Sequence, residues 1–444
     1  MKNNNRIEDN KHLLCYFQRT SNIERLALLK KEENYSNLAE KMAYEKITAK
    51  RLIEILISKL LRKKSILKQN IISVNNVLED VSLKDSVCII APYHNKDVSD
   101  GYLNRIYYVD DVVLKSKVKI YLDYTDLLNN DYSITKIDNL HYVIKFNTFN
   151  NEHSKLVHSI INEVKKIYIH SIHMLMPDIA NVEFYDFLDN KEIKTVLDLH
   201  GTITDELEMI GEFEKAKVAD ITQGYYLNKI GRIISVTNTM SKYITKKYKL
   251  NISKFIEMPI TSSNIDVNQE IIKEKTNKTN IIYAGGQQKW QNIDLMNNII
   301  SKTLNKYSYK IYVPDSSTLK SEWAKNIDIS KIEIDTKNKE ELIREYSKCT
   351  FGFALREKNN VNLVSCPTKI TEYMLYGIIP ILKDTNLGDF NSKNIKYIMY
   401  SDLLKGKLPK TKEINKMIAF NKKKIISIFN KSKASEKKIY DYLY

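Results

Sequence analysis

Glycine is scarce in this chain, 11 in 444 residues, and proline scarcer at 7. Collagen-like and Gly/Pro-rich low-complexity architectures are thereby excluded. Only 4 cysteines occur, Cys15, Cys88, Cys349 and Cys366, with no C-x-x-C spacing, so a disulfide framework and a thiolate metal knuckle are both unexpected. Cys88 sits in an apolar run that reads as a buried strand, and a reducing cytosol is the expected compartment. No apolar stretch approaches the roughly 18 residues of a membrane span, and residues 1–12 are polar, unlike a signal peptide. A soluble or peripheral protein is expected. No Asp-x-Asp and no His/Cys/Asp cluster at ligand spacing is present, so no metal is expected. Histidine ends at His200, which confines imidazole chemistry to the first half of the chain. Repeats at solenoid periods are also missing.

Hydrophobic residues make up 43% and aromatics 10%, enough for large cores and a folded state. The formal charge is +16 and the pI about 9.2, which suits nucleic acid, an anionic membrane surface or a phosphate-bearing ligand. Lys, Asn and Ile are abundant throughout, as A/T-rich codons would produce, so part of the basicity needs no functional cause. No nucleic-acid-binding module is visible, and no nucleic-acid partner is expected.

Residues 1–85 read as a helical, basic extension. Leu52, Ile53, Leu56, Ile57, Leu60 and Leu61 form a stripe at helical spacing, with Arg51, Lys59, Arg62, Lys63 and Lys64 largely off it. The segment 40–68 suits either packing on the next domain or peripheral contact with anionic lipid. From Ser86 short apolar runs alternate with helical patterns: Val87–Ala91, Val118–Leu122, Lys166–His170, Thr195–His200 and Ile233–Val236. A polar stretch follows, and a second series begins at Asn280–Ala284, continuing through Lys310–Val313, Thr350–Ala354 and Ile378–Leu382. This alternation predicts doubly wound parallel sheets. The expected order is extension, Rossmann-like domain at 86–262, linker at 263–280, second Rossmann-like domain at 281–410 and Lys-rich helices at 411–444.

Gly101, Gly201, Gly285, Gly286, Gly377 and Gly388 fall at or just beyond predicted element ends, suited to turns or to close approach of a ligand. Gly285-Gly286 follows a strand and precedes a helix beginning near Asn292, so free amides there can face an anion. The segment Ser365-Cys366-Pro367-Thr368-Lys369-Ile370-Thr371-Glu372, running on to Gly377, reads as a capped helix, with Ser365 or Cys366 as the cap. Two readings of it stand level. Lys369 and Glu372 form an i, i+3 ion pair, or the helix start and Lys369 hold phosphate oxygens while Glu372 accepts from ribose hydroxyls. His200, at a strand's carboxyl end, is a candidate site residue, and His170 and His173 are placed similarly.

The Pro-Thr-Lys-x-x-Glu-Tyr run, followed by x-x-x-Gly and an apolar strand, resembles the donor signature of glycosyltransferase family 4, enzymes of the GT-B fold. Tyr283-Ala284-Gly285-Gly286 with the following Gln287–Asp294, Gly352–Arg356 with Asn362, Asp100-Gly101-Tyr102 with Arg105, and Asp198–Gly201 are similar to further stretches of bacterial polysaccharide members. The resemblance spans residues 86 to about 400. It implies an α/β, GT-B architecture of two doubly wound domains facing a cleft, with a nucleotide-diphosphate sugar as donor and a saccharide or polyprenyl-linked saccharide as acceptor. It also implies retention of anomeric configuration, no cofactor or metal, and action in cell-surface polysaccharide biosynthesis, in the cytoplasm or at the inner face of the plasma membrane. His200, Lys289 and Arg356 carry over as catalytic, and Gly101, Gly285, Gly286, Ser365, Thr368, Lys369 and Glu372 as donor-binding. Two departures stand out: position 364 is Val where many members carry Glu, and the usual Arg after the second domain's first strand is missing, leaving Lys289 and Arg356 as substitutes. A catalytically silent nucleotide-binding subunit, and a nucleotide-sugar epimerase using His200 with Asp205 or Glu206, are the alternatives.

Overall fold

The computed structural model describes residues 77–78, 81–94, 101–124, 132–259, 279–287 and 289–444. Nearly all of the expected helical extension, including the 40–68 segment, and nearly all of the expected linker lie outside these residues. The chain divides into two α/β units. Of the described residues, the first comprises those up to Ile234 with Tyr248–Ile256 and Lys438–Tyr444, the second Ser235–Lys247 with those of Glu257–Lys437.

In the first unit the chain runs β1 (Val87–Ile90), α1 (Gly101–Tyr108) with a π-turn over Val109–Val113, β2 (Lys119–Asp123), β3 (Ser133–Lys136), β4 (His141–Lys145), α2 (Asn151–Val164), β5 (Lys166–Ile169), β6 (Lys194–Leu199), α3 (Ile203–Met209) and α4 (Phe213–Lys229). β7 (Arg232–Ser235) follows, then α5 (Asn238–Tyr248), nearly all of which belongs to the second unit, and β8 (Phe255–Glu257). The eight strands are ordered β3-β4-β2-β1-β5-β6-β7-β8. β3 runs antiparallel to β4, whereas β4, β2, β1, β5 and β6 pair in parallel. All four residues of β1 are buried, as a strand covered on both faces requires. The sequence of α2 explains its own ends. Asn150 accepts from the Glu152 and His153 amides, Lys165 closes it at φ 55°, and Leu156, Val157, Ile160, Ile161 and Val164 form its buried stripe.

The second unit runs β9 (Asn280–Ala284), α6 (Ile293–Thr303), β10 (Ser308–Tyr312), α7 (Ser316–Trp323), β11 (Ile332–Asp335), α8 (Lys339–Ser347), β12 (Phe351–Ala354), α9 (Asn360–Val364) and α10 (Thr368–Leu375). It continues through β13 (Ile379–Leu382), β14 (Ile398–Met399), α11 (Tyr400–Leu404) and α12 (Thr411–Leu443). The sheet is parallel throughout, in the order β11-β10-β9-β12-β13-β14, so the order reverses between β9 and β12. Its two faces divide neatly. Ile281 and Tyr283 join a core with Ile299, Ile300 and Trp323, while Ile282 and Ala284 join Tyr346, Tyr373 and Leu375 on the other side. Full burial of each large apolar side chain contributes roughly 1.5–3 kcal/mol. Tyr373 of α10 lies against Gly352 of β12, where a Cβ would collide with its ring, and so brings α10 close to the sheet at its reversal point. The Lys-rich tail is a single helix, α12, not several; its Ile425 and Ile428 pack on Ile370, Met374 and Phe390.

Residues 235–247 fall in the second unit although the strand preceding them belongs to the first sheet. Their ties account for this. Asp389 accepts from the Asn238 and Thr239 amides at 2.8 and 2.9 Å, and Thr237 Oγ1 donates to Val364 O at 2.7 Å.

Candidate functional site

Open parallel sheets bind ligands beyond the carboxyl ends of their strands, where the strand order reverses. At that point in the second unit β9 leads into Gly285 and Gly286, and β12 into Leu355 and Arg356. Gly285 has φ +154°, a backbone angle that favours glycine, and a Cβ on it would displace the Lys369 ammonium. The Tyr283 hydroxyl donates to Gly286 O and holds the turn.

Lys369 is 8% exposed. Its ammonium donates to Gln291 Oε1 at 3.3 Å and stands 3.8 Å from the Tyr283 ring centroid; neither partner is an anion. Burial drives its pKa well below the ordinary lysine value, Arg356 adds to the fall, and Glu372 only partly opposes it. The half-buried Arg356 donates from Nη1 to Asn362 Oδ1 and Ser365 Oγ, each at 3.3 Å. Burial lowers its pKa too. The adjacent carboxylate, Glu357, is engaged elsewhere, by Lys383 and by Asn292 Nδ2. Among the described residues no carboxylate pairs with either cation. Two desolvated basic side chains with no carboxylate at ion-pair distance are costly to bury and become favourable around an anion.

The start of α10 adds to this field. Pro367 occupies the cap and supplies no side-chain bond, and the Thr368 and Lys369 amides have no described acceptor. Ser365, expected as a cap, instead donates to Asn362 O at 2.9 Å and accepts from Arg356. Thr368 is exposed. The i, i+3 ion pair offered by the sequence does not form: Glu372 Oε2 accepts from the Tyr346 hydroxyl at 3.1 Å, and burial raises the Glu372 pKa. Gln291, quoted only within the Gln287–Asp294 stretch, and Tyr346 were not among the candidate site residues, since nothing local marks them as neighbours of α10. Lys289 falls in a short turn over Lys289–Gln291, and its side chain lies outside the described residues.

The remaining candidates belong to the first unit. Gly101 opens α1. His200 follows β6, its Nε2 3.5 Å from Asp198 Oδ2 and its ring edge-to-face with His170 at 4.6 Å. Asp198 is fully buried and bound by Arg105 through Nε at 2.7 Å and Nη2 at 3.3 Å, with the Tyr168 hydroxyl at 2.7 Å. Burial would raise the Asp198 pKa, but Arg105 and His200 outweigh it and hold the carboxyl well below its usual range. Burial lowers the pKa of His173. Glu206 is pushed up, chiefly by burial, and its carboxylate folds over Gly201. Metal-like spacing, unseen in the sequence, does arise here: ligand atoms of His170, Asp198 and His200 lie within 4.8 Å of one another. They come from the ends of two strands, so linear spacing conceals them. The Asp198 oxygen nearest the imidazole already accepts from Arg105 and Tyr168, which weakens it as a cation ligand.

No protein-family model and no curated protein matches the chain. Solved structures do. The chain is similar to trehalose-6-phosphate from E. coli bound with UDP-2-fluoro glucose, with 10% identity and TM-score 0.55 over 80% of this chain and 98% of that one. A glycosyltransferase from Rickettsia africae matches at 14% and 0.55, over 81% and 98%. Anabaena Alr3699/HepE, in complex with UDP and glucose, matches at 9% and 0.54, over 79% and 97%. The fold is GT-B. Within it, two parallel-sheet units account for most of the chain, and the cation pair of the second unit lies at the reversal point of a GT-B sheet. Among the described residues no helix is long and apolar enough to cross a membrane.

Proposed function

We propose that the protein is a glycosyltransferase of the family 4 type, moving a hexosyl unit from a nucleoside-diphosphate sugar to a hydroxyl of a saccharide or lipid-linked saccharide. One observation carries the reading: Lys369 and Arg356 are desolvated beside the free amides of α10, and among the described residues no carboxylate lies at ion-pair distance from either. A diphosphate supplies the missing charge. The Glu372 oxygen not bound by Tyr346 accepts from ribose hydroxyls. In the reaction the bond from the anomeric carbon to the phosphate oxygen breaks, the acceptor oxygen takes its place, and the hydroxyl proton leaves with the diphosphate. The fixed cations stabilise the charge developing on the departing oxygen, so no metal is needed for that step. Retention at the anomeric carbon, a cell-surface polysaccharide product, and a cytoplasmic or inner-leaflet location belong to the same proposal. His200, oriented by Asp198, is its first-unit polar residue.

A second reading, a silent nucleotide-binding subunit, is favoured by Val364, a fully buried apolar residue where related donor sites carry a carboxylate. Thermal shift with UDP, GDP, dTDP and CMP, followed by hydrolysis of the matching nucleotide sugar, separates the two. Nucleotide stabilisation with slow sugar release supports the transferase. Stabilisation without turnover supports the silent subunit, and no stabilisation by any nucleotide rejects both.

A further inference from the structure

The basicity of the chain is concentrated in one stretch of the second unit. Between Lys405 and Lys437, in and just before α12, eleven lysines stand against two glutamates, so this stretch alone carries +9 of the formal +16. A codon bias spread over the whole chain does not produce such a concentration. Nine of the eleven lysines are exposed. Exposed lysines of α2 and of the start of α4 pair with a carboxylate three residues away, as in Lys155–Glu152, Lys215–Glu212 and Lys217–Glu214. Among the described residues, none of these nine makes an ion pair.

The exposed face is straight and wholly polar. Lys412, Lys416, Lys423 and Lys437, spaced 4, 7 and 14 residues apart, fall along one line of α12, while Ile414, Ile418, Ile425 and Ile428 pack inward. At 1.5 Å per residue that line is roughly 38 Å long. Among the described residues, no large apolar side chain between Lys405 and Lys437 is exposed. Phe420 is half-buried, with the Lys396 and Lys424 ammoniums 5.0 and 5.3 Å from its ring centroid. A flat, densely anionic surface meets such a line along its whole length, whereas the backbone of a nucleic-acid duplex curves away from a straight rod. Every cation between Lys405 and Lys437 is a lysine; the planar fork that arginine offers a phosphate or a base edge is missing, as are exposed rings for stacked bases. With no apolar side chain to insert, contact stays at the level of charged headgroups.

We propose that the lysine face of α12 docks the protein on an anionic lipid bilayer. The contact is electrostatic, uses none of the residues assigned to the nucleotide, and stands whether or not the second unit binds one. The probe is a phosphatidylcholine vesicle with about 30 mol% phosphatidylglycerol, read by flotation of the full chain at about 0.05 M and about 0.5 M salt. Wild type floats with these vesicles at the lower salt, stays behind at the higher, and ignores vesicles of phosphatidylcholine alone. Each lysine near the surface is worth roughly fivefold in partition. Changing Lys412, Lys416, Lys423 and Lys437 together to Gln therefore lowers partition at least about fiftyfold, while the same four changed to Arg bind as wild type. All four are exposed, so melting midpoints stay level. A chain with Arg62, Lys63 and Lys64 changed to Gln floats like wild type. No flotation with the anionic vesicles, equal flotation of the four-Gln variant, loss confined to the 62–64 variant, or tighter binding to duplex DNA than to the vesicles at the same salt overturns the assignment.

Discussion

Replacing Lys369 by Met tests whether the second unit keeps an uncompensated charge for a ligand. The lysine is buried with its ammonium over the Tyr283 ring, and Met has similar length and no charge. In the free protein the ammonium has one amide oxygen at 3.3 Å and an aromatic face, far less than water offers. Removing a poorly compensated buried charge in favour of an apolar isostere stabilises by about 1–3 kcal/mol, which raises the melting midpoint by roughly 2–4 °C per kcal/mol in a unit of this size. Binding moves the opposite way. A charge-assisted bond to phosphate is worth roughly 1.5–3 kcal/mol, so UDP affinity should fall about ten- to hundredfold. The pH dependence adds a third signature. The folded pKa lies below the unfolded one, so above it the unfolded chain binds more protons and wild-type stability rises with pH towards the ordinary lysine value. Lys369→Met lacks that rise. Calorimetric melting of the free proteins and isothermal titration with UDP measure all three. A variant that melts lower than wild type and binds UDP equally well would show the lysine to be a structural strut, and the counter-ion argument would fail.

Glu372→Gln keeps shape but weakens the acceptor facing ribose, and the preference for UDP over its 2′-deoxy analogue should fall roughly tenfold in titration. Asp198→Asn strands the buried Arg105 guanidinium, and should cost about 3–5 kcal/mol in denaturant melts, whereas Arg105→Met combined with Asp198→Leu recovers most of that. For His141 the hydrogen bond to Asp110 is the largest cause of a raised pKa, burial opposing it. Asp110, held by His141 and Lys119 against burial, falls to about 2. The stabilisation from His141 is therefore complete below its unfolded pKa of about 6.5 and lost as pH rises through the folded value. Melting midpoints should decline over that window in wild type and stay level in His141→Gln, which has no proton to lose.

Strands buried on both faces were legible as apolar runs: the runs Val87–Ala91, Lys166–His170, Asn280–Ala284 and Thr350–Ala354 match β1, β5, β9 and β12 to within a residue at one end. Strands with an exposed face were not. β3 is Ser-Ile-Thr-Lys with three exposed positions, and β11 alternates as Ile-Glu-Ile-Asp, inward and outward; both resemble loop to any reading that looks for apolar runs. The site divides along similar lines. Gly285, Lys369 and Glu372 carry local signals, a glycine pair after a strand and a Lys and Glu on one helix face. That Lys369 and Arg356 lack a counter-ion is visible only in three dimensions, because Glu357 adjoins Arg356 in the chain yet is turned to Lys383 and Asn292.

Position 364 shows how a departure from a motif reads differently once packed. In sequence Val364 is a missing carboxylate. In the structure its side chain is fully buried, its carbonyl accepts from Thr237, and the next carbonyl lies so close to Gly388 that a Cβ there would strike Ser365 O. Gly388 itself holds φ +51°. A glutamate at 364 would place an ionised group where the native side chain is fully buried, at a cost of several kcal/mol unless a partner paired it. The backbone on either side of the substitution is fixed by Thr237 and Gly388. If this chain transfers sugar, groups other than a carboxylate at 364 must orient it.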